Sequence, residues 1–141
     1  MARKTTDYII IHCAATRATH NVDIKEVDRW HREKGWRMVG YHFFIKRDGT
    51  IQTGRPLMDG GAHAGPEYNN RSVGICLAGG VGQDGKTPEA NYTEAQWKQL
   101  KSLVEDLKKH NFPDAEVIGH NHVATKDCPC FDVKAWWSEN N

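Results

Sequence analysis

The segment from Tyr8 to Ala15 reads Tyr-Ile-Ile-Ile-His-Cys-Ala-Ala, a short run of apolar and β-branched residues. Such a run predicts a strand that is buried on both faces of a sheet. His12 lies near the end of this strand, where an imidazole costs free energy unless it is paired. Binding a metal is one way to pair the ring, so His12 is a candidate ligand.

Strands and helices alternate along the rest of the chain. Asp23 and Glu26 form a capping-box pattern before a helix that ends at Gly35, and Asp48-Gly49 predicts the turn of a hairpin. Gly-rich and polar segments at 54–71 and 79–91 predict loops. The remaining predicted elements are a strand at 72–78, a helix from Thr93 to His110, a strand at 116–119, and a last helix capped by Asp132, with Phe131 stapled onto Trp136. This alternation predicts an α/β fold.

The composition bounds the class of protein. The 141 residues contain no repeat or linker, so residues 1–141 are expected to form a single domain with a short N-terminal arm at 1–6. The 19 basic and 18 acidic residues nearly cancel, which argues against direct binding to nucleic acid. No membrane span and no signal peptide are predicted, so synthesis in the cytoplasm is expected. The spacing of the four cysteines is not that of a disulfide scaffold, and we interpret them as thiols or ligands.

A second informative segment runs from Gly119 to Cys130. It holds two imidazoles, one amine and two thiols within 12 residues. Imidazole nitrogen and thiolate sulfur are the ligands that Zn²⁺ prefers, and a catalytic zinc takes three protein ligands and keeps a fourth position for water. The candidates here are His120, His122, Cys128 and Cys130, and their spacing does not select among them.

The positions of the histidines along the chain help to locate the site. His12 and His120 both lie at the ends of predicted strands, and open α/β sheets bind ligands at the rim beyond the carboxyl ends of their strands. By contrast, we interpret His31, His42 and His110 as hydrogen-bonded core residues, which is the common role of a histidine on an apolar face. The rim that holds His12 and His120 is therefore the expected functional site.

Several short motifs carry a family resemblance. They are Ile10 to Ala15, Gly40 to Phe43, Lys46 to Thr50, Gly61 to Ala64, Asn69 to Cys76, and Gly119-His120 through Lys126 to Pro129. In this order they resemble the zinc-dependent N-acetylmuramoyl-L-alanine amidases of the type 2 family, which includes bacteriophage T7 lysozyme and the peptidoglycan recognition proteins. The likeness, from about Thr6 to Trp137, implies a single mixed central β-sheet flanked by helices. It also implies hydrolysis of the amide bond between the lactyl group of N-acetylmuramic acid and L-alanine in bacterial peptidoglycan.

The resemblance also implies the site residues. Zn²⁺ would be held by His12, His120 and Cys128, with Tyr41 and Lys126 as the catalytic side chains. A cation at Lys126 can stabilise negative charge on the carbonyl oxygen, and the phenol of Tyr41 can donate a hydrogen bond or pass a proton. Which of these two side chains is the proton donor stays open.

Four nearby residues receive supporting roles. His63 and Asn69 are expected to contact the substrate, because their Gly-rich loop faces the same rim and both side chains can bond peptide or sugar amides. His122 is expected either to orient a ligand side chain by contacting it or to have a structural role. Cys130 stands where the family pattern has Ser or Gly, so it is an alternative thiol to Cys128.

Other functions stay open at this level. One is a non-catalytic peptidoglycan-binding module, although the presence of Cys128 with both histidine ligands favours an enzyme. Another is additional inhibition of a phage RNA polymerase, but the N-terminal arm is shorter than in T7 lysozyme. A glycosidase is not expected, since the matched motifs hold no pair of carboxylates. The resemblance further implies a monomeric phage or prophage endolysin, made in the host cytoplasm and released to the cell wall when a holin opens the membrane.

Overall fold

The computed structural model describes residues 2–140, and their strands form one mixed sheet. Strands β2 and β3 are antiparallel, whereas the neighbouring pairs β2–β4, β4–β1 and β1–β5 are parallel. In the order β3-β2-β4-β1-β5, the strands are β1 (Tyr8–Cys13), β2 (Phe43–Ile45), β3 (Ile51–Thr53), β4 (Ser72–Leu77) and β5 (Glu116–Gly119). The prediction of a single mixed sheet in an α/β fold is confirmed.

Helices pack on both faces of this sheet. Their bounds are α1 (Ile24–Glu33), α2 (Pro66–Asn69), α3 (Glu94–His110) and α4 (Val133–Asn140). Residues of α3 and α4 share an apolar cluster with Ile9 and Ile11 of β1, while Val27 of α1 belongs to a separate cluster with Phe44 and Cys76. Because side chains alternate along a strand, His12 points to the opposite face from Ile11. None of the helices described here has the length and apolar character of a membrane span.

Capping residues define the helix starts as predicted. The Asp23 carboxylate accepts a hydrogen bond from the Glu26 N–H at 3.0 Å before α1. Before α3, the Thr93 hydroxyl and the Gln96 side chain exchange bonds with each other's backbone N–H, which completes a capping box. The predicted staple at α4 is also present, with the rings of Phe131 and Trp136 6.2 Å apart.

The structure corrects three of the predicted bounds, and the smallest correction is that β4 ends at Leu77, one residue before the predicted end. Strand β1 ends at Cys13 and not at Ala15, because Ala15 has a φ of 57°, which extended backbone does not have. The loop at 54–71 contains the one-turn helix α2, with Pro66 as its first residue. A single turn has no apolar periodicity that a sequence pattern could reveal.

The start of the chain packs against the domain. Ala2 forms an isolated bridge with Asp59, and the Arg3 N–H donates to the Met58 carbonyl oxygen at 2.6 Å. The Arg3 side chain is buried, and its Nη1 donates to the Asp59 carbonyl oxygen at 2.7 Å. Residues 2 and 3 are therefore held on the loop at 58–59.

Candidate active site

His12 occupies the carboxyl end of the strand that the sequence marked as buried. It pairs with Cys76 of β4 in parallel register, and its side chain is only 1% exposed. The neighbouring strand β5 ends at Gly119, so His120 follows at the same rim and opens a 3₁₀ turn at His120–His122. The imidazole rings of His12 and His120 lie with their centroids 4.5 Å apart. The topology thus brings together two histidines that are 108 residues apart (120 − 12).

Cys128 completes this cluster. One ligand atom from each of His12, His120 and Cys128 lies within 4.8 Å of the other two. Cys130 does not belong to the group: its backbone has a φ of 74° and its thiol donates to the Gly80 carbonyl oxygen at 3.2 Å. The structure therefore brings together the three ligands expected from the resemblance, with Cys128 as the thiol.

The donor set fits a zinc ion. Two imidazole nitrogens and one thiol sulfur, all within 4.8 Å of one another, are the donor types that zinc takes in proteins. Burial, with the neighbouring His63 and His120 rings, holds the pKa of His12 well below its usual value. Burial and the positive charge of Lys126 lower the pKa of His120. Both imidazoles are therefore neutral at pH 7, as metal binding requires.

The Cys128 sulfur is oriented by the backbone of β1. The Cys13 N–H donates to Cys128 Sγ at 3.0 Å. Without a metal, hydrogen bonding with the Cys13 thiol and burial raise the pKa of the Cys128 thiol. A divalent cation reverses this preference, because a coordinated thiol loses its proton.

Tyr41 and Lys126 both lie beside the cluster. The Tyr41 ring centroid is 5.1 Å from that of His12, and burial together with the nearby cysteine thiols raises the pKa of the phenol. Tyr41 is therefore a protonated hydrogen-bond donor at pH 7. Lys126 is exposed, and its charge acts on His120. Both line a cleft of about 660 Å³ whose other walls include His31, Lys34, Trp36, His63, Asn69 and His120.

His63 lies deeper than expected. Its side chain is buried, and Nδ1 lies 2.8 Å from Nε2 of His12. Its other ring nitrogen, Nε2, lies 3.2 Å from the Ser72 hydroxyl. Both ring nitrogens already have protein partners, so the geometry does not support the expected substrate contact through this imidazole.

Asn69 shapes the loop that carries His63. Its side-chain oxygen accepts hydrogen bonds from the N–H groups of His63 and Ala64, both at 2.9 Å. Its side-chain NH₂ makes no hydrogen bond with residues 2–140, and Asn69 lines the cleft. A substrate contact through that NH₂ agrees with this position.

Two of the three histidines predicted in the core are buried, and the third is exposed. His31 and His42 are buried, as expected, and burial lowers the pKa of each to about 4. His110 was wrongly placed in the core: it is exposed at the end of α3, 3.5 Å from Asp106. The last turn of an amphipathic helix exposes side chains that the apolar stripe does not include. His122 supports the site indirectly, since its Nδ1 accepts from the Gly119 N–H at 3.0 Å.

Two contacts at the site were missed in the sequence. The Cys13 N–H is a backbone group with no sequence signal. Ser72 was assigned only to a strand, yet it is the partner of His63. Gly74 carried a usable signal, because a glycine inside a strand often marks a close approach: a Cβ there would lie 2.7 Å from the His63 ring.

Comparisons with known proteins point to one family. Residues 2–131 match the model of the N-acetylmuramoyl-L-alanine amidase family. The endolysin of Escherichia phage T7 is 47% identical over 138 residues, which cover 98% of this chain and 89% of that protein. The solved amidase LysC from Clostridium intestinale superposes with a TM-score of 0.77 and 28% identity, over 96% of this chain and 83% of its own. Drosophila PGRP-LB superposes with a TM-score of 0.76 and 28% identity, over 99% and 82% of the two chains.

Proposed function

The chain belongs to the N-acetylmuramoyl-L-alanine amidase family, and from this premise we propose how its residues carry out the reaction. The enzyme hydrolyses bacterial peptidoglycan at the amide bond between the lactyl group of N-acetylmuramic acid and L-alanine. Water adds across this bond, so one product gains a carboxylate and the other a free amine. The observation that carries the proposal is the cluster of His12, His120 and Cys128, because its member His120 lines one cleft together with Tyr41 and Lys126.

The proposed cofactor is Zn²⁺, with His12, His120 and Cys128 as ligands. Two neutral imidazoles and one thiolate would leave the ion a net positive charge and one open position. When bound, zinc acidifies water to a pKa of about 7 and polarises the scissile carbonyl. The ligand set supports this assignment through its donor chemistry and through the lowered pKa of both histidines.

Lys126 and Tyr41 act on the reacting amide. Lys126 carries a positive charge at the edge of the cleft, where it stabilises negative charge that grows on the carbonyl oxygen. Tyr41 keeps its proton, since burial and the cysteine thiols raise its pKa, and it donates a hydrogen bond to the same oxygen. The departing nitrogen of L-alanine must gain a proton, and these two side chains are the candidates for its donor.

The cleft provides room for the muramoyl peptide. Asn69 offers an unused NH₂ at one wall, and the exposed Trp36 ring offers an apolar surface at another. We assign the substrate contact to Asn69 and not to the imidazole of His63, because the ring nitrogens of His63 are already bonded.

Digestion of purified muropeptides, with product masses measured, tests the reaction. We expect new amino ends on L-alanine and no new reducing sugars. A chelator should abolish the products, and added Zn²⁺ should restore them. Binding of muropeptide without cleavage would instead favour the non-catalytic module, and full cleavage by the metal-free protein would overturn the zinc assignment.

The place of action follows from the same relatives. Proteins named endolysins of Escherichia phage T7 and Klebsiella phage KP32 are each 47% identical to this chain. We assign the chain to a phage or prophage endolysin that reaches the cell wall after a holin opens the membrane. Lysis of cells that express the chain only when a holin is co-expressed would support this route.

Two further proposals concern inhibition of a phage RNA polymerase and a monomeric state. The arm at residues 2 and 3 is bound to the loop at 58–59, so the contacts of the arm do not favour release toward a polymerase. A transcription assay with purified phage polymerase tests inhibition. Light scattering at working concentration tests the monomer.

A further inference from the structure

His63 sits behind the proposed metal ligand His12 in a chain of buried hydrogen bonds. Nε2 of His12 is 2.8 Å from Nδ1 of His63, and Nε2 of His63 is 3.2 Å from the Ser72 hydroxyl. The Ser72 hydroxyl also lies 2.7 Å from the Tyr68 carbonyl oxygen. No step of the proposed reaction uses His63 or Ser72.

The contact between Ser72 and the Tyr68 carbonyl oxygen determines which group donates and which accepts in each of these hydrogen bonds. A carbonyl oxygen accepts only, so Ser72 donates its single proton to Tyr68. The Ser72 oxygen must then accept from His63, which places the His63 proton on Nε2. A neutral imidazole has one proton, so Nδ1 of His63 is an acceptor, and Nε2 of His12 is the donor to it.

We propose that His63 is a positioning residue that locks His12 into one tautomer and one ring orientation. His12 then carries its proton on Nε2, and Nδ1 is the nitrogen with a free lone pair for the metal. We call the series of hydrogen bonds from His12 through His63 to Ser72 the relay, and it ends at the Tyr68 carbonyl oxygen. This inference rests on the proposed zinc site and adds the residue that prepares its most buried ligand. Outer partners of this kind typically change metal affinity by about 10–100-fold.

Two glycines hold the His63 ring in its place. A Cβ at Gly61 would lie 2.4 Å from Cδ2 of His63, and a Cβ at Gly74 would lie 2.7 Å from Cγ. The ring therefore fills a slot that exists because both residues lack a side chain. In this slot the ring has little freedom to turn away from His12.

Nitrogen-15 NMR of the histidine-labelled, zinc-free protein tests the relay without relying on zinc or activity. We expect both His12 and His63 to show the tautomer protonated at Nε2. Replacing Ser72 by Ala should remove this preference in His63. A wild-type spectrum with His12 protonated at Nδ1 would overturn the proposal.

Zinc affinity, measured by competition with a chromophoric chelator, tests the role of His63. His63→Leu keeps a side chain of similar bulk but has no acceptor, and we expect about 10–100-fold weaker binding. His63→Asn places an oxygen near the position of Nδ1, and it should stay within about threefold of the wild type. Unchanged affinity in His63→Leu, or an equal loss in both variants, would overturn the positioning role.

A control separates this role from general destabilisation. Gln96 is a fully buried polar residue on α3 whose side chain donates to the carbonyl oxygens of Ile45 and Ala78. Gln96→Leu should unfold more easily than the wild type and bind zinc equally well. A wild-type protein that fails to bind zinc would contradict the proposed cofactor itself, whereas tight binding by wild type and His63→Leu alike would contradict only the relay.

Discussion

Cys128 and Cys130 are separated by one proline, yet their sulfurs have different partners. Cys128 lies in the cluster with both histidines, whereas the Cys130 thiol donates to the Gly80 carbonyl oxygen. We expect Cys128→Ser to lose its zinc and more than about 100-fold of its activity, because a hydroxyl is a poor substitute for a thiolate ligand. Metal content by mass spectrometry and turnover of muropeptide measure both effects. The matched variant Cys130→Ser should keep both, and the opposite result would transfer the ligand role to Cys130.

Tyr41 and Lys126 are expected to contribute to catalysis and not to zinc binding. We expect Tyr41→Phe and Lys126→Ala each to lower kcat by about 10²-fold or more, because each loses an interaction with charge that develops in the reaction. Neither side chain is a ligand, so zinc affinity should stay at the wild-type level. Steady-state kinetics and a zinc titration on the same samples check this. A raised KM with an unchanged kcat would assign the residue to substrate binding instead.

The sequence pointed to candidate ligands but not to the hydrogen bonds that join them to other side chains. His12 could be singled out because a polar ring interrupts a buried strand, and the resemblance then named His120 and Cys128. The role of His63 depends on the hydroxyl proton of Ser72, which is donated to the Tyr68 carbonyl oxygen. Tyr68 lies in α2, a helix that the sequence pattern did not predict. Spacing in sequence carries no information of this kind.

At the scale of elements, α3 begins with a cap that also binds the hairpin. The Thr93 hydroxyl accepts from the Gln96 N–H at 3.1 Å and donates to the Arg47 carbonyl oxygen at 2.7 Å. Thr93→Ala removes both bonds, so we expect the free energy of unfolding to fall by about 1–2 kcal/mol. Urea denaturation measures the loss. Thr5→Ala, at an exposed threonine, should have little effect, and zinc affinity should not change in either variant.

Helices and turns that are marked by capping or turn residues could be predicted from the sequence. The order of the strands in the sheet could not be predicted from local patterns. Asp23 and Thr93 marked helix starts, and Asp48-Gly49 marked the hairpin turn. The position of β1 between β4 and β5 was not encoded in any local pattern, because parallel pairing joins segments far apart in the chain. Only the family resemblance supplied the mixed sheet in advance.

For the whole molecule, buried histidines make stability depend on pH. Burial lowers the pKa of His42 from 6.5 to about 4, while in the unfolded chain it stays near 6.5. The unfolded state therefore takes up a proton first as the pH falls, and the folded state loses stability between the two values. We expect His42 to contribute a loss of about 2 kcal/mol between about pH 7 and about pH 5. Urea denaturation at both values measures it.

The variant His42→Asn isolates this contribution. Asn has no titrating group in this range, and its side-chain oxygen can replace Nδ1 as the acceptor for the Gly74 N–H, whereas the shorter side chain loses the bond to the Asp59 carbonyl oxygen. The variant should be less stable at neutral pH but lose about 2 kcal/mol less on acidification. An identical pH dependence in both proteins would show that other groups, such as the proposed zinc ligands, cause all of it.

Of the strands described, β1 is synthesised first, and both of its partners are made much later. It pairs with β4 and β5, and Ser72, the first residue of β4, lies 59 residues beyond Cys13 (72 − 13). At about 5–20 residues per second, translation needs about 3–12 s to cover that distance. During this time Ile9, Ile10 and Ile11 form an apolar segment with no strand beside it, the kind of segment that aggregates. A chain whose translation stops before Ser72 therefore carries this apolar strand without either of its partners.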